Sequence, residues 1–276
     1  MFSRYNIKSI IKENKDIKKI IWPLILFISI ALTIVFISGF IISVNVSKSE
    51  EKNSVEKPIT NAKKTSEEEE ASTESSEILI LGDSIGFGLG DEENLGLEKR
   101  YLDIINKKGK NKKEVTNISV PGYESTDLVN LIKSGENDSA ISNASLIIIS
   151  IGGNDINRLE SEDNVILTVA FEKALKNYQT NLKRIMKEIR KINPDAQLAF
   201  IGLYDPYSKE EPEKTRLLLE WNYETRLIVN SDFKFTYIPT YELFEYHLDD
   251  YLSPDGFHPS GLGYQMIAEE LDRVLN

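Results

Sequence analysis

The two histidines of this sequence are the side chains best suited to accept a proton near neutral pH. His258 lies in a segment of turn-forming residues, Ser253-Pro254-Asp255-Gly256-Phe257-His258-Pro259. Asp255 precedes it by three positions and can hold the imidazole in one orientation, as a general base requires. His247 falls in an amphipathic stretch, 241–248, where a packing or surface role is expected. His258 is therefore the candidate base.

Three apolar runs end abruptly in small or polar residues. Their endings are Gly82-Asp83-Ser84, Gly152-Gly153-Asn154-Asp155 and Tyr204-Asp205-Pro206. In an open parallel sheet the carboxyl ends of the strands share one edge, and ligands bind there. An alcohol nucleophile at this edge would need a base, because a free serine hydroxyl is too weak at neutral pH. The absence of cysteine excludes a thiolate nucleophile, disulfides and thiolate metal sites.

Strands and helices alternate along the part of the chain that carries these residues. The predicted strands are Ile78–Leu81, Val115–Val120, Leu146–Ile151, Leu198–Leu203 and Phe235–Ile238. Apolar residues at three- and four-residue spacing predict helices over 97–107, 126–133, 165–192, 213–229 and 261–275. In the longest helix, Val165 and Val169 are expected on the same buried face as Leu175 and Ile192. This alternation predicts an α/β fold with a parallel sheet that is covered on both faces.

Four segments resemble, in the same order, the motif blocks of the SGNH, or GDSL, hydrolase family. They are Gly82-Asp83-Ser84-Ile85, Pro121-Gly122-Tyr123, Gly152-Gly153-Asn154-Asp155 and Asp255-Gly256-Phe257-His258-Pro259. The segment Gly202-Leu203-Tyr204-Asp205-Pro206 and the pair Gly263-Tyr264 are similar to a bacterial, membrane-anchored lipase/acylhydrolase branch. The resemblance covers 77–276 and implies the SGNH hydrolase fold, a flavodoxin-like three-layer α/β/α arrangement with a five-stranded parallel sheet.

The resemblance also implies a serine esterase or lipase-type acylhydrolase that cleaves carboxylic ester bonds and uses no metal or other cofactor. Ser84 would attack the acyl carbonyl, His258 would carry the proton, and Asp255 would hold the imidazole. The oxyanion would be bound by the backbone N–H groups of Ser84 and Gly122 and by the side-chain amide of Asn154. The expected substrates are lysophospholipids, short acyl esters or acetyl esters.

Residues 77–276 contain 22 Lys and Arg against 34 Asp and Glu, which gives a net charge of −12. So acidic a domain is not expected to bind nucleic acid, and it favours neutral or zwitterionic esters over polyanions. Loops at the same sheet edge should hold the acyl chain, with Asn157–Phe171 and Asp205–Trp221 as the candidate walls.

The first 76 residues differ in composition from the rest of the chain. Residues 20–44 form a run of 25 residues without a charge, long enough for one transmembrane helix. Residues 1–19 carry a net charge of +4, which predicts that they stay cytoplasmic while the remainder is exported. Residues 45–76 are polar and are predicted to form a disordered linker. The expected localisation is therefore the cell membrane, with the catalytic domain, 77–276, outside the cytoplasm.

Other functions fit parts of the pattern. An O-acetyltransferase or deacetylase acting on cell-wall polymers would share the acyl-enzyme intermediate. A metal-dependent phosphoesterase could use ligands at the sheet edge, and its candidates are Asp83, Asp155, Asp205, Asp255 and His258. A binding module without activity is a third class. The glycines of Gly86-Phe87-Gly88-Leu89-Gly90 do not have the spacing of a dinucleotide-binding turn.

Overall fold

The predicted strands form one sheet in the computed structural model, which describes residues 77–109, 113–159, 163–207 and 211–276. The strands are β1 (Glu77–Gly82), β2 (Glu114–Asn117), β3 (Ala144–Ser150), β4 (Gln197–Ile201) and β5 (Phe235–Ile238). The longer helices are α2 (Gly96–Lys108), α3 (Ser125–Lys133), α6 (Asn164–Ile192), α7 (Pro212–Val229) and α10 (Gly261–Leu275). The shorter ones are α1 (Ser84–Phe87), α4 (Asp138–Asn143), α5 (Gly153–Asn157), α8 (Tyr241–Phe244) and α9 (Leu248–Tyr251).

The five strands are all parallel and lie in the order β2-β1-β3-β4-β5. The chain leaves β1 toward one edge of the sheet and then returns to β3 on its other side. The strand order therefore reverses between β1 and β3, and the crevice beyond their carboxyl ends is where open sheets bind ligands. Ser84 follows β1 at this crevice, and Asn154 follows β3.

Alternate residues of each strand pack on opposite faces of the sheet, which gives two separate cores. One core combines Leu79, Ile147 and Phe200 with apolar residues of α3, α6 and α7. The other combines Ile80 and Ile148 with apolar residues of α2 and α10. The predicted α/β class, with a parallel five-stranded sheet covered on both faces, is confirmed.

The start of the longest helix differs from the prediction. Val165 and Val169 are 73% and 62% exposed, so they do not belong to the buried face. Leu167 and Phe171 occupy that face instead, and four-residue steps connect them to buried Leu175. Residues two positions apart on a helix point in nearly opposite directions, which places the two valines outward.

Strand β2 is shorter than predicted and ends at Asn117, but its hydrogen bonding to β1 continues beyond it. The N–H of Ile118 donates to the Ile80 carbonyl at 3.0 Å, and the N–H of Val120 donates to the Gly82 carbonyl at 2.9 Å. These bonds hold the following turn, which contains Gly122, beside the end of β1.

The predicted membrane span (20–44), the basic segment before it (1–19) and the predicted linker (45–76) all lie outside the described residues. Within the part of the chain that is described, none of the helices is both long and apolar enough to cross a membrane.

Candidate active site

Ser84 is the first residue of α1, at the turn where β1 gives way to that helix. Gly82 is required at this turn, because a Cβ atom there would lie 1.9 Å from the Ser150 carbonyl oxygen. Asp83 begins the helix by accepting a hydrogen bond from the Ile85 N–H at 3.0 Å, and it accepts another from the Ser150 hydroxyl at 2.6 Å. Burial raises the pKa of Asp83 to about 6 against the effect of these bonds. The turn fixes Ser84 at the mouth of the crevice.

A continuous chain of hydrogen bonds joins Ser84, His258 and Asp255. Nε2 of His258 lies 3.0 Å from Oγ of Ser84, and Nδ1 of the same ring lies 2.7 Å from Oδ2 of Asp255. Ser84 and His258 are 174 positions apart in the sequence, and the fold brings them together. A hydroxyl, an imidazole and a carboxylate in this order can move a proton from the hydroxyl to the ring.

The loop that carries Asp255 and His258 is tightly closed. The Ser253 N–H donates to the His258 carbonyl at 2.8 Å across the loop. Oδ1 of Asp255 accepts hydrogen bonds from the Ser253 hydroxyl and from the N–H groups of Phe257 and His258, all within 2.9 Å. Partial burial favours the neutral acid, but the bonds from His258, Phe257 and Ser253 outweigh it and hold the pKa of Asp255 well below its usual range. The carboxylate beside the ring is therefore ionised at neutral pH and accepts four hydrogen bonds.

Gly122 and Asn154 reach the same crevice from different strands. The Tyr123 N–H donates to the Val120 carbonyl at 3.2 Å, which closes a β-turn with Pro121 and Gly122 at its centre. Gly122 has φ +85°, as the third residue of a type II turn requires, and the turn's own hydrogen bond does not use the Gly122 N–H. The side-chain amide of Asn154 donates to the Tyr123 carbonyl at 2.9 Å, and this bond uses one of its two amide hydrogens.

Several residues that support this arrangement were not predicted. The Tyr204 hydroxyl donates to the Phe257 carbonyl at 2.7 Å, and both groups of Ser125 donate to Asp155. Tyr204 and Asp155 lie just beyond strand ends and belong to the segments quoted above, but these bonds were not predicted, and Ser125, at the start of α3, carried no signal in the sequence. His247 lies elsewhere and stacks on the Tyr251 ring, with centroids 5.0 Å apart.

An apolar cavity of about 40 Å³ opens beside Ser84, between the ends of β3 and β4. Its walls include Ile156, Leu203, Leu218 and Phe257. A second cavity of about 240 Å³ adjoins it and extends between α5 and α7. Four residues line both cavities: Ile156, Asn157, Pro206 and Leu218. The two cavities therefore share a wall; Asn157, Pro206 and Leu218 fall in the predicted wall segments, and Ile156 lies one residue before the first segment.

The acidic residues considered as metal ligands each have a separate partner. Asp83 accepts from Ser150, Asp155 from Ser125, Asp205 from Thr215 and Asp255 from His258. The described residues contain no group of three or more histidine and acidic side chains that could hold a metal ion.

Known proteins share both the sequence pattern and the fold. Bacillus subtilis (strain 168) protein YpmR, itself uncharacterized, is 29% identical over 205 residues, which cover 72% of this chain and 80% of YpmR. The lipase Lip_vut3 from a goat rumen metagenome superposes with a TM-score of 0.65 at 22% identity, over 72% of this chain and 96% of that one. Axe2, an acetylxylan esterase from Geobacillus stearothermophilus, superposes with a TM-score of 0.55 at 17% identity, over 73% and 94%.

The two structural likenesses, at these identities, establish the fold, and the sequence establishes the family. Residues 80–266 match the GDSL-like Lipase/Acylhydrolase family. That range begins inside β1 and ends within α10, so it includes Ser84, Gly122, Asn154, Asp255 and His258. The chain therefore belongs to the GDSL-like lipase/acylhydrolase family and is an ester-hydrolysing enzyme.

Proposed function

We propose that this enzyme cleaves carboxylic esters through an acyl-enzyme intermediate on Ser84. The observation that carries the proposal is the unbroken hydrogen-bond chain from Ser84 through His258 to Asp255. Oγ of Ser84 forms a bond to the acyl carbon while its proton moves to Nε2 of His258. The carbonyl electrons move to the oxygen and return as the alcohol leaves with the proton from His258. Water then repeats the sequence and releases the acid.

The negative oxygen of the tetrahedral intermediate needs donors that are already in place. We assign this task to the backbone N–H groups of Ser84 and Gly122 and to the second amide hydrogen of Asn154. The open space beside Gly122, where an added Cβ atom would meet nothing within 4 Å, leaves room for a substrate. The Tyr123 carbonyl orients the Asn154 amide through its other hydrogen.

The cavity beside Ser84 supports an acyl group as the part of the substrate that is recognised there. Its volume of about 40 Å³ holds roughly three water-sized groups, which fits an acetyl or other short acyl chain. The adjoining chamber of about 240 Å³ offers room for a longer chain wherever the shared wall yields. We therefore propose short acyl and acetyl esters as the preferred substrates, with single-chain lipids such as lysophospholipids as the longer ones.

A related candidate is the removal or transfer of acetyl groups on cell-wall polymers. The small size of the first cavity favours it, and the structural relative Axe2 is an acetylxylan esterase. Hydrolysis and transfer differ only in whether water or a sugar hydroxyl accepts the acyl group. Product analysis with an acetylated polymer, in the presence and absence of an acceptor oligosaccharide, distinguishes the two.

We further propose that residues 20–44 anchor the protein in the cell membrane and that the domain acts outside the cytoplasm. The supporting observations are the uncharged run of 25 residues and the net charge of +4 before it. Protease added to intact cells or protoplasts should release an active fragment of about 200 residues by cutting within 45–76. Protection of the domain until the membrane is broken would reverse this topology.

The assignment of Ser84 is tested with a fluorophosphonate probe and p-nitrophenyl acetate. The probe should label the wild-type protein and the His247→Ala variant, and labelling should disappear in Ser84→Ala. Hydrolysis of p-nitrophenyl acetate should follow the same pattern. Labelling or turnover that survives in Ser84→Ala would show that another residue is the nucleophile.

A further inference from the structure

Two neighbouring segments supply two of the three proposed oxyanion donors, and one carboxylate hydrogen-bonds across them. Gly122 lies in the turn after β2, and Asn154 lies in α5 after β3. Asp155, the neighbour of Asn154, accepts a hydrogen bond from the Ser125 N–H at 2.9 Å and another from the Ser125 hydroxyl at 2.5 Å. Each oxygen of the carboxylate therefore holds one donor of the first residue of α3.

Ser125 is fully buried and has a further partner. Nδ2 of Asn181, on α6, lies 3.1 Å from the Ser125 hydroxyl oxygen and 2.9 Å from Oγ1 of Thr126. The long helix α6 thus also binds the start of α3, where Asp155 binds Ser125. Buried hydrogen-bonded groups of this kind are held in place, because a donor left unpaired there would lose its hydration without gaining a partner.

The turn that contains Gly122 is fixed independently of Asp155. The Val120 N–H bonds to the Gly82 carbonyl, and the Tyr123 N–H closes the turn onto Val120. The Asn154 side chain hydrogen-bonds to this turn at the Tyr123 carbonyl. The position of Asn154 relative to the Gly122 N–H therefore depends on the Asp155–Ser125 bonds next to it.

We propose that Asp155 is a positioning residue that sets the spacing between the Asn154 amide and the Gly122 N–H through its two bonds to Ser125. The inference rests on the proposed function, in which these two groups bind the oxyanion. A displacement of about 1 Å in such a donor lowers the rate by on the order of 100-fold. Loss of the Asp155–Ser125 bonds should have an effect of that size.

An ion pair between the same two loops does not replace the bridge. Nη1 of Arg158 lies 2.6 Å from Oε1 of Glu124, but the Arg158 side chain is 70% exposed. Exposed pairs of this kind contribute little and are screened by salt. The partly buried carboxylate, with its two bonds to buried Ser125, therefore carries the spacing.

The test measures kcat and KM for p-nitrophenyl acetate in Asp155→Asn, Asp155→Ala and Ser125→Ala. Asparagine keeps one acceptor, so kcat should fall by roughly 10-fold in Asp155→Asn. Alanine keeps none, so kcat should fall by roughly 100-fold in Asp155→Ala, and KM should be nearly unchanged in both variants. Ser125→Ala keeps the backbone bond and should resemble Asp155→Asn, which provides a readout if Asp155→Ala does not fold. Asp127→Asn is the matched control, because Asp127 accepts from the Glu124 N–H at 2.9 Å at the same helix start without reaching Asn154.

The deciding measurement repeats Asp155→Ala in an Asn154→Ala background. If Asp155 acts by placing Asn154, adding Asp155→Ala to the Asn154→Ala variant should lower its kcat by less than about threefold. An equal loss in both backgrounds, or a lower Tm with unchanged kcat, would overturn the proposal alone. An Asn154→Ala variant with wild-type kcat would overturn both this proposal and the assignment of the oxyanion donors.

Discussion

The hydroxyl of Tyr204 donates a hydrogen bond of 2.7 Å to the carbonyl of Phe257, the residue before His258. Tyr204 follows β4 and is buried, and its ring stacks on Phe244 with centroids 4.3 Å apart. The bond connects the sheet edge directly to the loop that carries Asp255 and His258. The position of the imidazole therefore depends on a strand that contributes no reacting group.

Replacing Tyr204 by phenylalanine removes this bond and keeps the stacked ring. The loss of one hydrogen bond, about 1 kcal/mol, should lower kcat by roughly fivefold and leave KM unchanged, because the loop holds His258 less firmly. Tyr207→Phe is the control, since Tyr207 is 40% exposed and its ring lies 6.5 Å from that of Phe257. A lower Tm with wild-type kcat would make Tyr204 a residue of the fold only.

Alanine at Ser84 or at His258 should each reduce kcat by at least about 10³-fold, because the proton path needs both groups. The double variant should be less than about threefold worse than either single variant, since residues that act as one unit are not additive. His247→Ala should retain most of the activity. Steady-state kinetics on p-nitrophenyl acetate measures all four, and additive losses would contradict a shared role.

The stability of the protein should depend on pH through Asp83. Its pKa is raised from 3.8 to about 6 in the folded state, so the folded protein binds this proton more tightly than the unfolded chain. Between about pH 4 and pH 6 this group therefore lowers the free energy of unfolding as pH rises, by about 3 kcal/mol in all. Urea titrations at several pH values should show that Asp83→Asn removes this dependence of the free energy of unfolding on pH. A variant whose free energy of unfolding follows pH in parallel with the wild type would contradict the prediction.

Asp255 should show the opposite sign in the same titrations. Hydrogen bonds hold its pKa below 3.8 in the folded state, so its stabilising contribution is present at neutral pH and is lost as pH falls below about 4. The Asp255→Asn variant should therefore converge with the wild type in acid. A difference in free energy of unfolding between the variant and the wild type that widens toward low pH would contradict the direction of the pKa shift.

Leu218 should set the length of acyl chain that the enzyme accepts, because it lines both cavities. Leu218→Ala should raise kcat/KM for octanoyl relative to acetyl esters by roughly tenfold. The gain comes from methylenes that become buried only in the variant, each of which contributes about 0.8 kcal/mol. Leu219→Ala, at the exposed neighbouring position, should leave the ratio unchanged. Leu218→Val is the milder variant if the alanine destabilises the core. An unchanged preference in both Leu218 variants would place the chain elsewhere.

The pattern of apolar residues predicts the sheet and its helices well where apolar residues recur regularly on one face of an element. Strand β5 and helix α10 have the predicted limits, 235–238 and 261–275. The first turns of α6 differ from the prediction because two apolar pairs compete there at four-residue spacing, and the fold buries Leu167 and Phe171 while Val165 and Val169 face outward. Helices of four to six residues, such as α1 and α5, are too short to show a period.

The candidate site could be predicted only in part. Ser84, Asn154 and His258 have residue types and neighbours that indicate chemistry, and the structure places each at the carboxyl edge of the sheet. The Asp83–Ser150, Asp155–Ser125 and Tyr204–Phe257 bonds join residues 67, 30 and 53 positions apart. Such pairs follow from how the loops pack, and a single sequence carries no trace of that packing.

The path of β1 has a practical consequence for attaching this protein to a surface. The strand begins at Glu77 and runs for six residues, about 20 Å, before the turn to Ser84. Helix α10 ends beside the same starting edge, where Leu275 and Ile78 line a shared hollow. Both ends of the described domain thus lie on the side remote from the crevice. A domain coupled to beads or displayed on a particle through either end should keep its crevice facing outward, open to insoluble material.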